Sequence, residues 1–122
     1  MAEKRPVLVC EDNRNIRLLI KLFFERRGHR VFEAPDGEEA VILAKREHLL
    51  LDLIVMDIIM PGTDGIEAVR EIRSAGIQTP IVMLTSKNFA EDKEGALKAG
   101  ANAYLLKPFS PAELEAAAGA LI

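Results

Sequence analysis

Five polar residues that can do chemistry each follow a short apolar run of the chain: Glu11, Asp12, Asp57, Thr85 and Lys107. If folding brings the three carboxylates together they repel one another, so they need a cation or raised pKa values. An all-oxygen site selects a hard ion, with Mg²⁺ the best candidate. A hydroxyl and an ammonium group beside it suit the oxygens of a phosphoryl group. The set indicates phosphoryl chemistry in which Asp57 can be the nucleophile and form an acyl phosphate.

The central stretch of the chain, Leu51–Gly65, has the pattern of a buried strand followed by an acidic residue and a loop. Its first half, Leu51–Met56, is almost wholly apolar and too short for a helix, as expected of a strand buried on both faces of a parallel sheet. Asp57 follows, and then the turn-forming residues of Met60–Gly65. Alone, such an aspartate is more often a helix cap or turn residue. The other four polar residues favour the chemical interpretation.

Strands and helices are predicted to alternate along the whole chain, five of each. The predicted strands are Val7–Cys10, Arg30–Ala34, Leu51–Met56, Ile81–Leu84 and Ala103–Leu106. Such alternation predicts an α/β fold, a doubly wound parallel sheet covered on both sides by helices. Right-handed crossovers place the carboxyl ends of all strands at one edge. For the strand order 2-1-3-4-5, ligands bind between the first and third strands, which carry the three acids.

The intervening helices are read from apolar stripes and stop signals. Asp12 or Asn13 is expected to cap the first helix, whose stripe is Ile16, Leu19, Ile20 and Phe23. The second helix is expected over Glu38–Glu47, with Ala40, Leu43 and Ala44 buried. The third is expected over Ile66, Val69 and Ile72, and the fourth at about Ala90–Ala99. The capping box Ser110-Pro111-Ala112-Glu113 begins the fifth. The two histidines, His29 and His48, are expected away from the five polar residues.

Composition narrows the class of protein. With 122 residues, 49% apolar and 29% charged, the chain is expected to form one globular domain over residues 1–122. The net charge is −3 and the basic residues are scattered, so no nucleic-acid surface is expected. The single cysteine, Cys10, fits a reducing compartment and a small buried apolar residue. No apolar run approaches a membrane span, and Met1–Pro6 leave no room for a signal peptide, so a cytoplasmic location without membrane contact is expected.

The whole chain resembles the receiver domain of two-component response regulators, which has the flavodoxin-like fold of the bacterial chemotaxis response regulator. The matching motifs are the acidic pair Glu11-Asp12, Asp57 with Met60–Gly65 behind it, Thr85-Ser86, and Lys107-Pro108. Each motif alone is weak, and the combination of the four, in order at the ends of four strands, is specific. The resemblance implies a phosphorylation-dependent signalling switch, a regulatory domain that assists only its own Mg²⁺-dependent phosphorylation and dephosphorylation.

The resemblance also implies roles for single residues. Asp57 would accept a phosphoryl group from a phosphohistidine on a sensor histidine kinase or a histidine phosphotransfer protein. Asp12, Asp57 and the backbone carbonyl of Ile59 would bind Mg²⁺, with Glu11 acting through water. Glu11 replaces the commoner aspartate of the family, which leaves its place around the metal open.

Further implied roles concern the response to phosphate. Thr85 would hydrogen-bond the phosphoryl group, Lys107 would pair with it, and Tyr104 would turn inward as Thr85 moves. The face formed by the fourth helix, fifth strand and fifth helix would bind a downstream protein or a fused output domain. Ile59 and Lys87 stand where the family varies and where the dephosphorylation rate is set, and the Lys107–Pro108 bond is expected to be cis.

Three alternatives stay open at this point. An aspartyl-phosphate enzyme of the haloacid-dehalogenase type would carry a second aspartate two residues after the nucleophile, where this chain has Ile59. A flavin- or nucleotide-binding module would need a glycine-rich turn after the first strand, where this chain has Glu11-Asp12-Asn13-Arg14. A degenerate receiver would act as a constitutive protein-interaction module. The chain ends at Leu121-Ile122 without a polar tail, which favours part of a longer protein over a free-standing regulator.

Overall fold

The computed structural model describes residues 4–86 and 90–122. Within the second range, residues 90–92 are described by their backbone only. Strands and helices alternate strictly within these ranges, as the sequence predicts. In chain order they are β1 (Lys4–Cys10), α1 (Arg14–Glu25), β2 (His29–Ala34), α2 (Gly37–Glu47), β3 (Leu53–Asp57), α3 (Gly65–Ser74), β4 (Ile81–Thr85), α4 (Ala90–Ala99), β5 (Ala103–Leu106) and α5 (Pro111–Gly119). The predicted fold class is confirmed and all five predicted strands are present. Their starts differ in three cases: β1 begins three residues and β2 one residue earlier than predicted, and β3 begins two residues later, at Leu53.

All strand pairs are parallel, and the sheet order is β2-β1-β3-β4-β5. Cys10 pairs with Met56 across β1 and β3, so Glu11 and Asp57, the next residue of each chain segment, arrive side by side. Asp57 and Thr85 are the last residues of β3 and β4, so each of these strands ends one residue later than the sequence predicts. The carboxyl ends of the strands therefore meet along one edge, here called the carboxyl edge.

The sheet is buried on both faces because each face has its own apolar layer. One layer packs beneath α2, α3 and α4 and includes Cys10, Met56 and Met83. The other packs beneath α1 and α5 and includes Val55, Leu84 and Leu114. Burial raises the pKa of the Cys10 thiol well above its ordinary value, which keeps the thiol protonated and unreactive. This agrees with the prediction that Cys10 is a core residue.

The predicted buried face of α1 is partly wrong. Ile20 and Phe23 are buried as expected, but Leu19 is 67% exposed and Phe24 is buried in its place. The helix carries more apolar residues than one face can hold, so the apolar stripe can be read in two ways. Burying the larger Phe24 removes more apolar surface from water than burying Leu19, and Phe24 also packs edge-on against Phe23, with ring centroids 5.0 Å apart.

Within the described residues, four helices begin with a side chain that accepts a hydrogen bond from the first turn. These cap residues are Asn13, Asp36, Asp64 and Ser110. Asn13 rather than Asp12 caps α1, which leaves the carboxylate of Asp12 for the carboxyl edge. The predicted capping box of Ser110 and Glu113 is confirmed, with both reciprocal hydrogen bonds formed.

The opposite edge of the sheet holds the histidines and a structural arginine. His29 begins β2 and shares a hydrogen bond with the carbonyl of Arg5 at 2.7 Å, and His48 ends α2.

Arg73 at the end of α3 donates to the carbonyls of Gly100, Ile77 and Thr79. It therefore ties the end of α3 to the end of α4.

Among the described helices, none has the length and apolar character that crossing a membrane requires.

Candidate functional site

The three predicted acids lie together at the carboxyl edge, between β1 and β3. One carboxylate oxygen from each of Glu11, Asp12 and Asp57 lies within 4.8 Å of the other two. Glu11 is fully buried, Asp57 is 4% exposed, and Asp12 is exposed to solvent. The cluster is therefore a carboxylate pocket with a buried floor and one open side.

Lys107 bridges the two buried acids. Its Nζ donates to Oδ2 of Asp57 at 2.8 Å and forms a second, short contact with Oε1 of Glu11. The residue follows β5, its backbone N–H donates to the carbonyl of Thr85 at 2.7 Å, and the Lys107–Pro108 bond is cis as expected. The lysine is placed by the sheet itself, because its own backbone extends the pairing of β4 with β5.

The loop after Asp57 is held close to that residue. The N–H of Ile59 donates to Oδ1 of Asp57 at 3.3 Å, and the N–H of Gly65 donates to the carbonyl of Ile58 at 2.8 Å. A Cβ atom at Gly65 would lie 2.0 Å from the carbonyl oxygen of Asp57, so a larger residue there would displace the loop. Glycine at this position allows α3 to begin directly beside Asp57.

The charges of Glu11 and Lys107 are perturbed by their surroundings. Burial and the neighbouring Asp57 carboxylate raise the pKa of Glu11 from 4.5 to about 7, against the opposing effects of Lys107 and the N–H of Asn13. Burial alone would lower the pKa of the Lys107 ammonium, but its contacts with Asp57 and Glu11 outweigh burial and raise it. The site thus holds more negative charge than one lysine neutralises.

The raised pKa of Glu11 predicts that stability falls as pH rises. Between pH 4.5 and 7 the folded chain binds a proton at Glu11 that the unfolded chain has lost, so the free energy of unfolding decreases across this interval. At about 1.4 kcal/mol per pKa unit the decrease is about 3 kcal/mol. Urea unfolding at pH 5 and pH 8 measures it. The Glu11→Gln protein should lack this decrease, whereas Glu94→Gln, at an exposed position of α4, should keep it. The same pH dependence in Glu11→Gln would contradict the assignment.

Thr85 and Tyr104 lie on neighbouring strands. Thr85 is buried and pairs with Leu106, while Tyr104 is half-buried and pairs with Met83. Because side chains alternate along a strand, Thr85 points to the same face of the sheet as Met83 and Tyr104. Nζ of Lys93 in α4 lies 4.8 Å from the centre of the Tyr104 ring. Lys87, the other predicted rate-setting position, lies outside the described residues.

The contact of Arg17 with this pocket is absent from the sequence prediction, as is the bridge from Lys107 to Glu11. Arg17 of α1 donates from Nη1 to the backbone carbonyl of Glu11 at 2.8 Å and from Nε to Oε1 of Glu33 at 3.2 Å. The sequence offers one indication of this contact: Arg17 lies four residues after Asn13, a spacing that places both residues on one face of the helix, beside the turn that contains Glu11. That signal is weak because α1 carries several basic residues.

The donor set of the pocket fits Mg²⁺. Three carboxylate oxygens converge within 4.8 Å, and two of the three acids are buried. Among the described residues, the cluster contains carboxylates and neither histidine nor cysteine. Mg²⁺ prefers one or two carboxylates together with waters, and the exposed side at Asp12 leaves room for those waters. The side chain of Ile59 is 52% exposed, and the role of its carbonyl as a ligand stays a prediction.

Comparison with protein families identifies one match over almost the whole chain. The model described as "Response regulator receiver domain" matches residues 7–119. Among curated proteins, the chain is 43% identical over 108 residues to the transcriptional regulatory protein ResD of Bacillus subtilis, covering 88% of this chain and 44% of that protein. It is 42% identical over 118 residues to the alkaline phosphatase synthesis transcriptional regulatory protein PhoP of the same organism, covering 97% and 48%. The chain spans about half the length of these relatives.

Solved structures show the same likeness in three dimensions. The receiver domain of the Francisella response regulator 1452 superposes with a TM-score of 0.88 at 37% identity, covering 97% of this chain and 96% of that one. The Vibrio cholerae chemotaxis protein CheY4 superposes with a TM-score of 0.90 at 31% identity, covering 98% and 99%. Both likenesses extend over nearly the whole chain.

Proposed function

The chain belongs to the response regulator receiver domain family of two-component systems, and on this premise we propose that Asp57 is its phosphoacceptor. The donor is a phosphohistidine on a sensor histidine kinase or a histidine phosphotransfer protein. One observation carries the proposal: Asp57 is a buried carboxylate at the strand-order switch point, with a lysine ammonium 2.8 Å away and two more acids beside it. Residues 1–122 are proposed to act as one receiver domain, supported by a family match over 7–119 and a single sheet.

The phosphoryl step is a displacement at phosphorus. A carboxylate oxygen of Asp57 forms the new P–O bond as the P–N bond to the donor imidazole breaks, and the imidazole keeps the electron pair. Asp12 and Asp57, with the carbonyl of Ile59, are proposed to hold Mg²⁺, and Glu11 to act through water. Bound there, Mg²⁺ neutralises negative charge on the phosphoryl oxygens. Lys107 is proposed to pair with a phosphoryl oxygen, and Thr85 to hydrogen-bond another.

Incubation of the wild-type chain with acetyl phosphate and Mg²⁺ tests this proposal. Intact mass should increase by one phosphoryl group per chain, and EDTA should prevent the increase. A chain that never gains the mass in Mg²⁺ would instead be a degenerate receiver that acts as a constitutive interaction module.

The downstream signal is proposed to pass through the face of α4, β5 and α5. Phosphate on Asp57 adds charge and strong acceptors, which draw Thr85 toward the site. Tyr104 lies on the same face of the sheet as Thr85 and is proposed to turn inward into the space vacated. This movement separates its ring from the Lys93 ammonium, a contact worth about 0.5–1 kcal/mol at an exposed site. A downstream protein or a fused output domain would recognise the changed face, and DNA or membrane would not contact this domain directly.

Backbone amide chemical shifts test the switch. Beryllofluoride with Mg²⁺ should shift resonances from Asp57 through Thr85 and Ser86 to Tyr104 and α4, because the two states differ along that path. Mg²⁺ alone is the control and should perturb only residues around the acidic cluster. Changes confined to that cluster in the presence of beryllofluoride, with Tyr104 unmoved, would show that phosphate is read locally and that Tyr104 is a core residue.

A further inference from the structure

The turn between β1 and α1 is held at its backbone by contacts that fix the position of Asp12. The N–H of Glu11 donates to the carbonyl of Ala34 at 3.0 Å, and the N–H of Asn13 donates to Oε2 of Glu11 at 3.1 Å. The carbonyl of Glu11 accepts from Nη1 of Arg17 at 2.8 Å. That carbonyl belongs to the Glu11–Asp12 peptide, so its orientation sets where the Asp12 side chain begins.

The carbonyl of Glu11 needs this partner because its residue is fully buried. A buried carbonyl that loses its hydrogen bond destabilises the turn, and a movement of the turn can relieve this cost. Arg17 is itself fixed at a second point, since Nε donates to Oε1 of Glu33 at 3.2 Å. The planar guanidinium presents both donors at a set angle, which a lysine cannot reproduce.

Resting on the proposed function, we infer that Arg17 is a positioning residue for Mg²⁺: it holds the Glu11–Asp12 peptide so that the Asp12 carboxylate faces Asp57. Arg17 is not one of the residues proposed to bind the metal or the phosphoryl group; its side chain contacts Glu33 and the carbonyl of Glu11. Its effect passes through the backbone of Glu11, in the way that supporting hydrogen bonds orient metal ligands in other proteins.

The charge of Arg17 and its contact with the Glu11 carbonyl predict opposite effects on the affinity for Mg²⁺, which makes the inference testable. Arg17 is a cation close to a cation site, so its charge alone opposes Mg²⁺, and removing that charge should tighten binding. Its contact with the Glu11 carbonyl favours Mg²⁺, so removing the contact should weaken binding. Lys21 is a matched control, because its Nζ binds the same Glu33 at 3.3 Å and, within the part of the chain that the structure describes, its side chain makes no hydrogen bond to Glu11.

The experiment is a titration of Mg²⁺ alone into wild type, Arg17→Met and Lys21→Met, followed by backbone amide shifts because the chain lacks tryptophan. We expect the Kd for Mg²⁺ to rise about tenfold in Arg17→Met and to stay equal or fall in Lys21→Met. The amide of Asp12 should shift in metal-free Arg17→Met and not in Lys21→Met. Unfolding in EDTA separates a general loss of stability from the change in affinity.

The outcomes separate this inference from the proposed function. A wild-type chain that binds no Mg²⁺ would contradict the metal site itself. Binding by wild type with an equal or lower Kd in Arg17→Met would overturn only the inference, whatever the change in stability. If Arg17→Met does not fold, Arg17→Lys keeps the charge and loses the two-pronged geometry. Its Kd should rise, and a Kd equal to that of wild type would overturn the inference.

Discussion

The Asp57→Asn protein is expected to gain no phosphoryl mass from acetyl phosphate and Mg²⁺ under conditions in which wild type gains one group. An amide oxygen is neutral and a poor nucleophile, so the P–O bond cannot form at this position. The fold should survive, because asparagine has nearly the same shape as aspartate. The substitution also removes one negative charge from a cluster of three carboxylates that repel one another. The expected effect is complete loss of labelling.

Asp64→Asn is the matched control for this change. Asp64 lies in the same loop, and its Oδ1 caps α3 by accepting from the N–H of Glu67 at 2.9 Å. Asparagine caps helices about as well as aspartate, so labelling and stability should both stay at the wild-type level. Undiminished labelling of Asp57→Asn would place the nucleophile elsewhere and end the proposed mechanism.

The Asp12→Ala protein is expected to bind Mg²⁺ at least tenfold more weakly than wild type. The expected loss is large because Mg²⁺ is held by one or two carboxylates, and even supporting partners of metal ligands typically contribute about 10- to 100-fold in affinity. Without metal, the stability of this protein should be unchanged or higher, since Asp12 is exposed and its charge repels Glu11 and Asp57. A Mg²⁺ titration and urea unfolding in EDTA measure the two effects.

Glu71→Ala serves as the control for the lost charge. Glu71 is exposed and lies in the second half of α3, whereas the acidic cluster lies beside the start of that helix. Its removal changes the net charge equally and should leave the Kd for Mg²⁺ nearly unchanged, because Glu71 is exposed, does not belong to the cluster, and its charge is screened by salt and water. Equal Mg²⁺ affinities of wild type and Asp12→Ala would refute the assignment of Asp12 as a ligand.

The arrangement of the sheet and the location of the acidic cluster follow from the sequence. Apolar runs too short for helices identify the strands, and the helices between them force parallel pairing. Parallel pairing then places Glu11, Asp12 and Asp57 at one edge without any knowledge of side-chain contacts. The cis bond before Pro108 comes from the family resemblance, since nothing in the composition of the chain requires it.

Side-chain contacts were not predictable in the same way. The rotation of α1 depends on whether Leu19 or Phe24 is buried, and both fit a helical period. The bridge from Lys107 to Glu11 joins residues far apart in the chain, so periodicity carries no signal for it. The contact of Arg17 with Glu11 depends on the path of a long side chain, which composition does not determine.

The identity of the phosphorylated atom is the central claim, and chemical trapping tests it most directly. The phosphorylated protein is reduced with borohydride, which converts an aspartyl phosphate to homoserine, and the peptide that contains residue 57 is sequenced by mass spectrometry. The proposed function predicts homoserine at position 57. Its amount should equal the amount of protein-bound phosphate that is stable in acid and released by base. Homoserine at position 12, or a phosphate that resists base and lies on a hydroxyl such as Thr85, would contradict it.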